Sequence, residues 1–485
     1  MATTVSDRTD VTARAGRPAT DWRPLLVVLV GTFMTFLDFF IVNVALPSIH
    51  DELHAGPDAV QLVVAGYGLA FAVGMISGGR LGDLYGRRRM FALGLALFTL
   101  TSAACGLAPN ADVLVVARVL QGVAGALLTP QVLAIVSAVY TGAARAKAFA
   151  AYGFAMGIAG VLGQLLGGAL ISADFAGSGW RGIFLINVPV GLVALAAVRV
   201  IPESRGARER LDLVGTELIT VALAAVVLPL VEGREHGWPM WTWISFAAAP
   251  VLLGVFVVHQ LGRRRAGRAP LVNLALFADR RFSLGSLAGL TFGLVPAAFF
   301  FVLALYLQQG RGFSALFSGV VFAAVGVGYF AAMLLAQPLA ARFGRQVLAA
   351  GAIAVAAGCL VLADVAAAST SLELLPGLAL IGFGIGLVLV PLSAEVLSEI
   401  DPADAGAAAG VLATAQQVGG ALGVAVIGVV FFEALSGGVT HAFTVSLYAL
   451  AGLTAATALL VQARLNPPAG GEPRSDRRRR ELRPT

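Results

Sequence analysis

The sequence predicts an all-α membrane protein with fourteen transmembrane helices. Only 12% of its 485 residues are Asp, Glu, Lys or Arg, against ~25% in soluble proteins, and 58% are hydrophobic. The mean hydropathy is +0.87, and apolar runs of about 20 residues, long enough to cross a bilayer, recur along the whole chain. This composition argues against a soluble enzyme.

The apolar runs define the predicted helices, each about long enough at ~1.5 Å per residue to cross a ~30 Å hydrocarbon core. In chain order, these segments lie at roughly 24–46, 59–79, 90–107, 113–138, 148–172, 182–201, 212–232, 241–261, 282–307, 314–338, 346–366, 372–397, 405–431 and 442–463. An even number of segments places both termini on one side of the membrane.

The basic residues indicate which side this is, because cytoplasmic loops of membrane proteins are enriched in Lys and Arg. With cytoplasmic termini, 29 of the 33 basic residues lie in cytoplasmic segments. The outer loops hold Arg181, Arg234 and Arg311, and Arg118 lies within a segment. The net charge of +6 therefore reflects topology, and no nucleic-acid partner is needed to explain it.

The sequence lacks the residues that several kinds of chemistry require. The two cysteines, Cys105 and Cys359, lie within apolar runs, with no CxxC motif and no cluster of metal ligands. The chain has neither a GxxxxGK[ST] phosphate loop nor an HExxH motif. We expect no metal and no cofactor, and an ion gradient as the source of energy.

An internal repeat predicts the domain organisation. The sequence GRLGDLYGRR follows the second segment, and a diverged copy, QPLAARFGRQ, follows the tenth. Gly86 and Arg87 align with Gly344 and Arg345, whereas Asp83 has no acidic counterpart. Both copies lie on the predicted cytoplasmic side, as in transporters built from two parallel six-helix bundles.

The repeat divides the chain into five parts. Residues 24–201 and 282–465 are predicted to form the N-terminal and C-terminal six-helix bundles. Residues 202–281 supply two inserted transmembrane helices and a basic cytoplasmic loop. Residues 1–23 and 466–485, which are rich in Arg, Pro, Gly and Asp, are predicted to be disordered cytoplasmic ends.

Four motifs resemble the major facilitator superfamily, specifically its fourteen-helix drug:proton antiporter branch (EmrB/QacA-like). The first-loop signature matches Gly79, Arg80, Gly82, Asp83, Gly86, Arg87 and Arg88. The helix 1 signature matches Leu37, Asp38, Asn43, Val44, Ala45, Leu46 and Pro47, and the helix 4 signature matches Arg118, Gln121, Gly122, Gly125 and Ala126. Residues 180–191 also look like that branch. The resemblance covers nearly the whole chain and implies a major facilitator fold.

Five residues are candidates for proton coupling in a substrate cavity: Asp38, Arg118, Gln121, Glu217 and Glu395. Asp38 lies deep in segment 1, where an ionised carboxylate costs at least ~2.5 kcal/mol to insert. We expect it to face a wet central cavity, where substrate and proton compete for one charge. The family associates an arginine such as Arg118 with proton transfer. The alternative is a structural ion pair between segments 1 and 4, and Glu217 and Glu395 could instead be interfacial.

The loop after segment 2 is, by resemblance, a cytoplasmic conformational latch. Its residues are Arg80, Gly82, Asp83, Gly86, Arg87 and Arg88. In this interpretation Asp83 meets helix ends and arginines of the other half and stabilises the outward-open state. A solvated loop that only sets the topology would explain the arginines but not the spacing of the glycines and the aspartate.

Segment 5 carries an antiporter-like glycine pattern, for which we expect a helix-packing role. Its residues are Gly153, Gly157, Gly160, Gly163, Gln164, Gly167 and Gly168. The family has a proline where this chain has Gln164, so a predicted bend is lost and an amide that needs a partner is gained. The departure weakens the antiport assignment.

These features predict a multi-pass transporter of a bacterial plasma membrane, monomeric and driven by the proton gradient. Ten aromatic residues in segments 9 and 10 suit a site for flat lipophilic compounds. We expect export of lipophilic or cationic small molecules, antibiotics among them, in exchange for protons, by alternating access. The alternatives are a dedicated exporter of one metabolite or antibiotic, and a receptor or scaffold that moves nothing.

Overall fold

The structure, a computed structural model, describes residues 21–206, 211–367, 370–398, 400 and 405–465. These residues form fourteen helices long and apolar enough to cross a membrane, and no strand. The predicted all-α membrane fold is confirmed. The disorder expected of the two ends concerns mainly residues 1–20 and 466–485, which lie outside the described ranges.

The helices follow the predicted order, and most extend beyond the predicted segment at one or both ends. They are α1 Arg23–Leu53, α2 Pro57–Tyr85, α3 Arg87–Gly106, α4 Ala111–Val139, α5 Gly142–Ala173, α6 Gly179–Val200, α7 Leu213–Glu232, α8 Met240–Arg265, α9 Arg280–Gly310, α10 Ala315–Phe343, α11 Gln346–Val365, α12 Leu374–Ser398, α13 Ala405–Ala434 and α14 Val439–Leu465. The loops after α2, α4, α6, α8 and α10 lie at one end of the bundle, which we call the arginine-rich face. The other end is the opposite face.

The two halves use the same helix pairing. In the first half α1 packs on α5, α2 on α4, and α3 on α4 and α6. In the second half α9 packs on α13, α10 on α12, and α11 on α12 and α14. Glycines allow these close approaches: a Cβ at Gly122 would lie 2.4 Å from the carbonyl oxygen of Tyr67, and one at Gly382 would lie 1.8 Å from that of Val325. The two halves, each of which carries one copy of the sequence repeat, therefore also pack their helices in the same pairs.

The inserted helices α7 and α8 pack on each other, and α7 also contacts α2 and α13. Asp212, just before α7, accepts hydrogen bonds from His259 (2.8 Å), Gln260 (2.8 Å) and the backbone N–H of Gly215 (3.0 Å), and Arg263 lies 3.4 Å away. Burial raises the pKa of Asp212, but these bonds and the arginine lower it further than burial raises it, so the net shift is downward. This cluster joins the two inserted helices at the arginine-rich face.

Contacts between the two halves run from the opposite face to the middle of the helices. The amide nitrogen of Gln308 donates to the carbonyl of Val44 at 2.8 Å, and a Cβ at Gly168 would lie 2.4 Å from the carbonyl oxygen of Ala315. Toward the arginine-rich face, a Cβ at Gly153 of α5 would have no heavy atom within 4 Å. The two halves therefore contact each other at the opposite face.

Candidate functional site

Helix α6 contributes an amide side chain, Asn187, to the site around Asp38. The span α6 consists of a 3-10 turn, a short helix Gly182–Leu185, a second helix Asn187–Ala197 and a final 3-10 turn. Pro189 lies in the first turn of the second helix, where its missing N–H interrupts the hydrogen-bond ladder. Ile186, between the two helices, keeps helical backbone angles (φ −60°, ψ −29°), and the side chain of the next residue, Asn187, reaches Asp38 of α1.

The Asp38 carboxylate is bound by three side chains from two other helices. Arg118 donates to one oxygen at 2.5 Å, while Gln121 and Asn187 donate to the other at 2.9 and 3.0 Å. Asp38, Arg118 and Gln121 are each 0% exposed and Asn187 is 1% exposed. Asn187 also donates to the Ser102 hydroxyl of α3 at 3.0 Å. A carboxylate and a guanidinium are therefore enclosed by α1, α3, α4 and α6.

Arg118 has further partners that hold it in place. It donates to Gln121 at 2.7 Å and to the carbonyl of Val63 at 3.0 Å. Its guanidinium lies 4.2 Å from the centroid of the Tyr67 ring and 5.6 Å from that of Phe184, both cation–π distances. Its second terminal nitrogen has no hydrogen-bond partner among the described residues. These contacts can hold Arg118 in place while the neighbouring Asp38 changes its protonation state.

A cavity lies between the two halves. It is lined by aromatic, aliphatic and glycine residues of both halves: Phe36, Phe40, Met156, Gly157, Gly160, Val161, Gln164, Pro296, Phe300, Phe322, Val325, Gly326, Tyr329, Gly382, Ile385 and Leu389. Of the aromatic residues in segments 9 and 10, Phe300, Phe322 and Tyr329 line it. Such a wall suits a lipophilic ligand.

The charged cluster does not line this cavity, which corrects the expectation that Asp38 faces it. Phe36 and Phe40 of α1 are four residues apart and share the face that lines the cavity. Asp38, midway between them, is turned by ~200° on a helix with 3.6 residues per turn and faces α4 and α6 instead. Arg118 and Gln121 are enclosed with it inside the N-terminal half.

The two other candidate carboxylates are also placed elsewhere. Glu217 is exposed on α7, outside the two six-helix halves. Glu395 lies near the arginine-rich end of α12, where Arg345 is 2.7 Å and Arg464 is 3.7 Å away. The structure brings neither of them to Asp38 or to the cavity, because α7 packs on the outside of the halves and Glu395 is held at a helix end.

The glycines of α5 divide between two neighbouring helices. Gly163 and Gly167 approach α1, where a Cβ would lie 3.2 Å from the Phe40 side chain and 2.8 Å from that of Ile41. The backbone of α10 lies against Gly168, as described above. These three glycines occupy packing positions, whereas Gly157 and Gly160 also line the cavity. Of the set, Gly153 has no close neighbour among the described residues.

The loop after α2 makes its described contacts within its own half and with the insertion. Asp83 accepts from Arg87 at 2.8 Å, and the backbone N–H of Gly206 donates to the Asp83 carbonyl at 3.2 Å. Arg80 donates to the carbonyl of Pro270, in the loop between α8 and α9. Among the described residues, Asp83 makes no hydrogen bond or ion pair with the other half in this conformation, and the contacts between the halves lie at the other end of the helices.

The rest of this loop depends on its glycines and on Glu203, a residue that the sequence did not point to. Gly86 has φ +110°, and a Cβ there would lie 2.7 Å from the Glu203 carboxylate. Gly344, its counterpart in the repeat, also has a positive φ, +57°. Arg88 donates its backbone N–H to Glu203 at 3.0 Å. At Gly82 a Cβ would collide with the side chain of Gln131.

Sequence reasoning did not assign Asn187, Ser102 or Tyr67 to the site. Asn187 carried a usable signal, since it is an amide inside an apolar run two residues before a proline. Ser102 and Tyr67 carried none, because single Ser and Tyr residues are common in membrane helices. Their roles follow from helix packing alone.

Comparisons with known proteins agree with this architecture. A model of the Major Facilitator Superfamily matches residues 28–424. A probable actinorhodin transporter of Streptomyces coelicolor is 40% identical over 435 residues, which cover 87% of this chain and 74% of that protein. A puromycin resistance protein of Streptomyces alboniger is 35% identical over 466 residues, 90% of each chain.

Solved structures resemble the fold. The crystal structure of a D-xylose-proton symporter matches with a TM-score of 0.64 and 16% identity over 91% of this chain and 97% of that one. At this identity the likeness concerns the fold alone. Fourteen membrane helices, paired packing in two halves and the match over residues 28–424 agree with the resemblance seen in the sequence, and the chain belongs to the major facilitator superfamily.

Proposed function

We propose that this transporter exports small lipophilic molecules, antibiotics among them, in exchange for protons across a bacterial plasma membrane. The names of its relatives, an actinorhodin transporter and a puromycin resistance protein, support the substrate class. The enclosed cluster of Asp38, Arg118, Gln121 and Asn187 is the observation that supports proton coupling. The arginine-rich face is then cytoplasmic, and both termini with it.

Helix α1 links the proton site to the cavity. It carries Asp38 on one face and Phe36 and Phe40 on the other, so a shift or rotation of this helix changes both sites together. The amide of Gln164 donates to the carbonyl of Phe40 at 2.9 Å and ties α5 to the same turn. In this scheme proton and substrate act on one helix from opposite faces, and they do not compete for one carboxylate.

Protonation of Asp38 breaks the ion pair that holds α1 to α4. A neutral carboxyl loses the coulombic attraction to Arg118, which keeps its bonds to Gln121 and Val63. The energy for rocking the two halves comes from the proton gradient, so the proposal needs no cofactor and no metal. The protein acts as a transporter and not as an enzyme.

Drug-triggered proton movement in everted vesicles tests this proposal. A fluorescent pH probe reports the gradient while lipophilic compounds are added to vesicles with the wild type or the Asp38→Asn variant. We expect proton release only with the wild type. Asp112→Asn is the matched control, since Asp112 is exposed in the first turn of α4. Equal release by wild type and Asp38→Asn would exclude Asp38 as the coupling site.

A dedicated exporter of one antibiotic is the second candidate, because both relatives above are named for a single compound. A panel of structurally unrelated dyes separates the two. Export of several of them would identify a generalist, whereas export of one chemical class alone would identify a dedicated exporter.

The loop after α2 is proposed to act as the latch of the other conformation. When the cytoplasmic ends of the halves approach, Asp83 is free to exchange Arg87 for a group of the C-terminal half. Cysteine crosslinking across this face in the presence of a proton gradient tests the idea: Asp83→Asn should reduce the crosslinked fraction. An unchanged fraction would leave the loop with a topological role only.

A further inference from the structure

The wall of the central cavity carries very little polarity. Of the described residues that line it, Gln164 and Tyr329 are the two with polar side chains, and none carries a formal charge. A buried cation without a counter-charge is costly. The cavity therefore has a chemistry that distinguishes neutral from charged ligands.

The amide oxygen of Gln164 is a hydrogen-bond acceptor to which none of the described residues donates. Its amide nitrogen donates to the Phe40 carbonyl at 2.9 Å, and the residue is 1% exposed. Because a carbonyl can only accept, this bond determines which end of the amide is the nitrogen. The remaining oxygen has no hydrogen-bond partner among the described residues. A buried acceptor without a hydrogen bond costs free energy, and a donor from a bound molecule would remove this cost.

Tyr329 provides the second polar group. It belongs to α10 and lies across the cavity from α5, with its ring carbon 2.8 Å from a Cβ built at Gly157. The absence of a side chain at Gly157 is what allows the ring this position. The Tyr329 hydroxyl can both donate and accept.

The remaining walls suit a flat aromatic molecule. The rings of Phe40 and Phe300 meet edge to face at 5.4 Å, and those of Phe300 and Phe322 stack at 5.7 Å. These rings come from both halves and contact one another, so a ligand that lies against them contacts α1, α9 and α10 together. Aromatic faces and edges bind aromatic ligands in the same geometries.

We propose that the cavity selects neutral aromatic molecules that carry a hydroxyl or N–H group, and that a bound molecule displaces the side chains that cover the amide oxygen of Gln164, so that this group donates a hydrogen bond to it. Tyr329 supplies the second polar contact. Gln164 is thus a specificity-determining residue, at the position where the family has a proline. This inference rests on the proposed function for its physiological meaning, and the binding it describes can be measured without transport.

Binding of three pyrenes tests the proposal. Wild-type protein in nanodiscs is equilibrated by dialysis with 1-hydroxypyrene, 1-methoxypyrene and a pyrene that bears a trimethylammonium group, and empty nanodiscs correct for partition into lipid. We expect the wild type to bind the hydroxyl compound about tenfold more tightly than the methoxy compound, the effect of one hydrogen bond. In Gln164→Met and Gln164→Leu this preference should fall to about twofold or less, with methoxypyrene affinity retained.

Each alternative result has a defined meaning. Retained methoxypyrene binding in the variants shows that the cavity is intact. Gln462→Met, a change of a glutamine on α14 whose partner is Gln346, should leave the tenfold preference in place. An equal preference in wild type and Gln164 variants would overturn the role of Gln164.

The selection of neutral ligands and the proposed antiport can be refuted separately. Trimethylammonium-pyrene bound as tightly as hydroxypyrene, or no pyrene bound at all by the wild type, would overturn the selection of neutral aromatics. A selective cavity together with no proton release in vesicles would instead count against the proposed antiport and leave the binding inference standing.

Discussion

Replacement of Asp38 by asparagine probes the enclosed charge pair directly. The side chains of Asp38 and Arg118 are both 0% exposed, with 2.5 Å between their nearest nitrogen and oxygen. Asparagine keeps the shape but removes the charge, so the guanidinium stays buried with neutral acceptors, the Gln121 amide and the Val63 carbonyl. Loss of one partner of a buried pair costs about 3–5 kcal/mol. We expect Asp38→Asn to lose that much stability.

A double variant separates stability from coupling. Asp38→Asn combined with Arg118→Gln removes both charges, and a buried pair replaced by neutral groups is often close to neutral in stability. The double variant should therefore regain most of the unfolding temperature that the single variant loses. Drug-triggered proton release should be absent from both variants. Thermal unfolding of purified protein and the vesicle assay measure the two properties.

Two results would refute this reasoning. A single variant that unfolds at the wild-type temperature would mean that Arg118 depends on no buried partner. A double variant that regains stability and still releases protons would show that the pair is structural and that coupling lies elsewhere. Since stability and coupling are measured separately, neither result can be attributed to misfolding alone.

Three further predictions concern other parts of the fold. Gly168→Leu should force α5 away from the carbonyl of Ala315 and reduce the efflux rate by about tenfold or more, because small residues allow this approach. Gly86→Ala should cost about 1–3 kcal/mol of stability from its positive φ alone and more from contact with Glu203. The lowered pKa of Asp212 stabilises the protein above about pH 4, and this stability should be lost as the pH falls below that value, a dependence that Asp212→Asn should weaken in thermal unfolding.

Matched controls accompany these changes. Gly254→Leu places the same side chain on α8, where a Cβ has no neighbour within 4 Å, and should leave efflux unchanged. Gly142→Ala also has a positive φ, +51°, but meets no atom within 4 Å, so it isolates backbone strain from collision. An equal loss of stability in Gly86→Ala and Gly142→Ala would show that contact with Glu203 contributes nothing. A pH profile unaltered by Asp212→Asn would show that another group causes it.

The fold was largely predictable because its determinants are local in sequence. Apolar runs of membrane-spanning length each specify one helix, and arginines on alternate loops specify their order across the membrane. The GRLGDLYGRR repeat predicted two parallel halves, and the structure pairs the helices of residues 24–201 and 282–465 in the same way. These signals need no knowledge of which helix touches which.

The site was only partly predictable. Asp38, Arg118 and Gln121 were found because charge and amide groups are costly in lipid and need partners. Their position away from the cavity was not foreseen, since a helical wheel shows which residues share a face but not which neighbour that face meets. Asn187 joins them from α6, which packs on α1 and α3. Glu217 and Glu395 share the same chemistry but pack elsewhere.

The number of helices and the residue types available for coupling could be read from the sequence alone, because hydrophobicity and charge act on each segment independently. The contact of Asp38 with Asn187, and the cavity wall that Gln164 shares with Tyr329 of the other half, follow only from the packing of the helices. These contacts join residues more than a hundred positions apart. They depend on the glycines that let particular helices approach, and that choice is made by packing across the whole bundle.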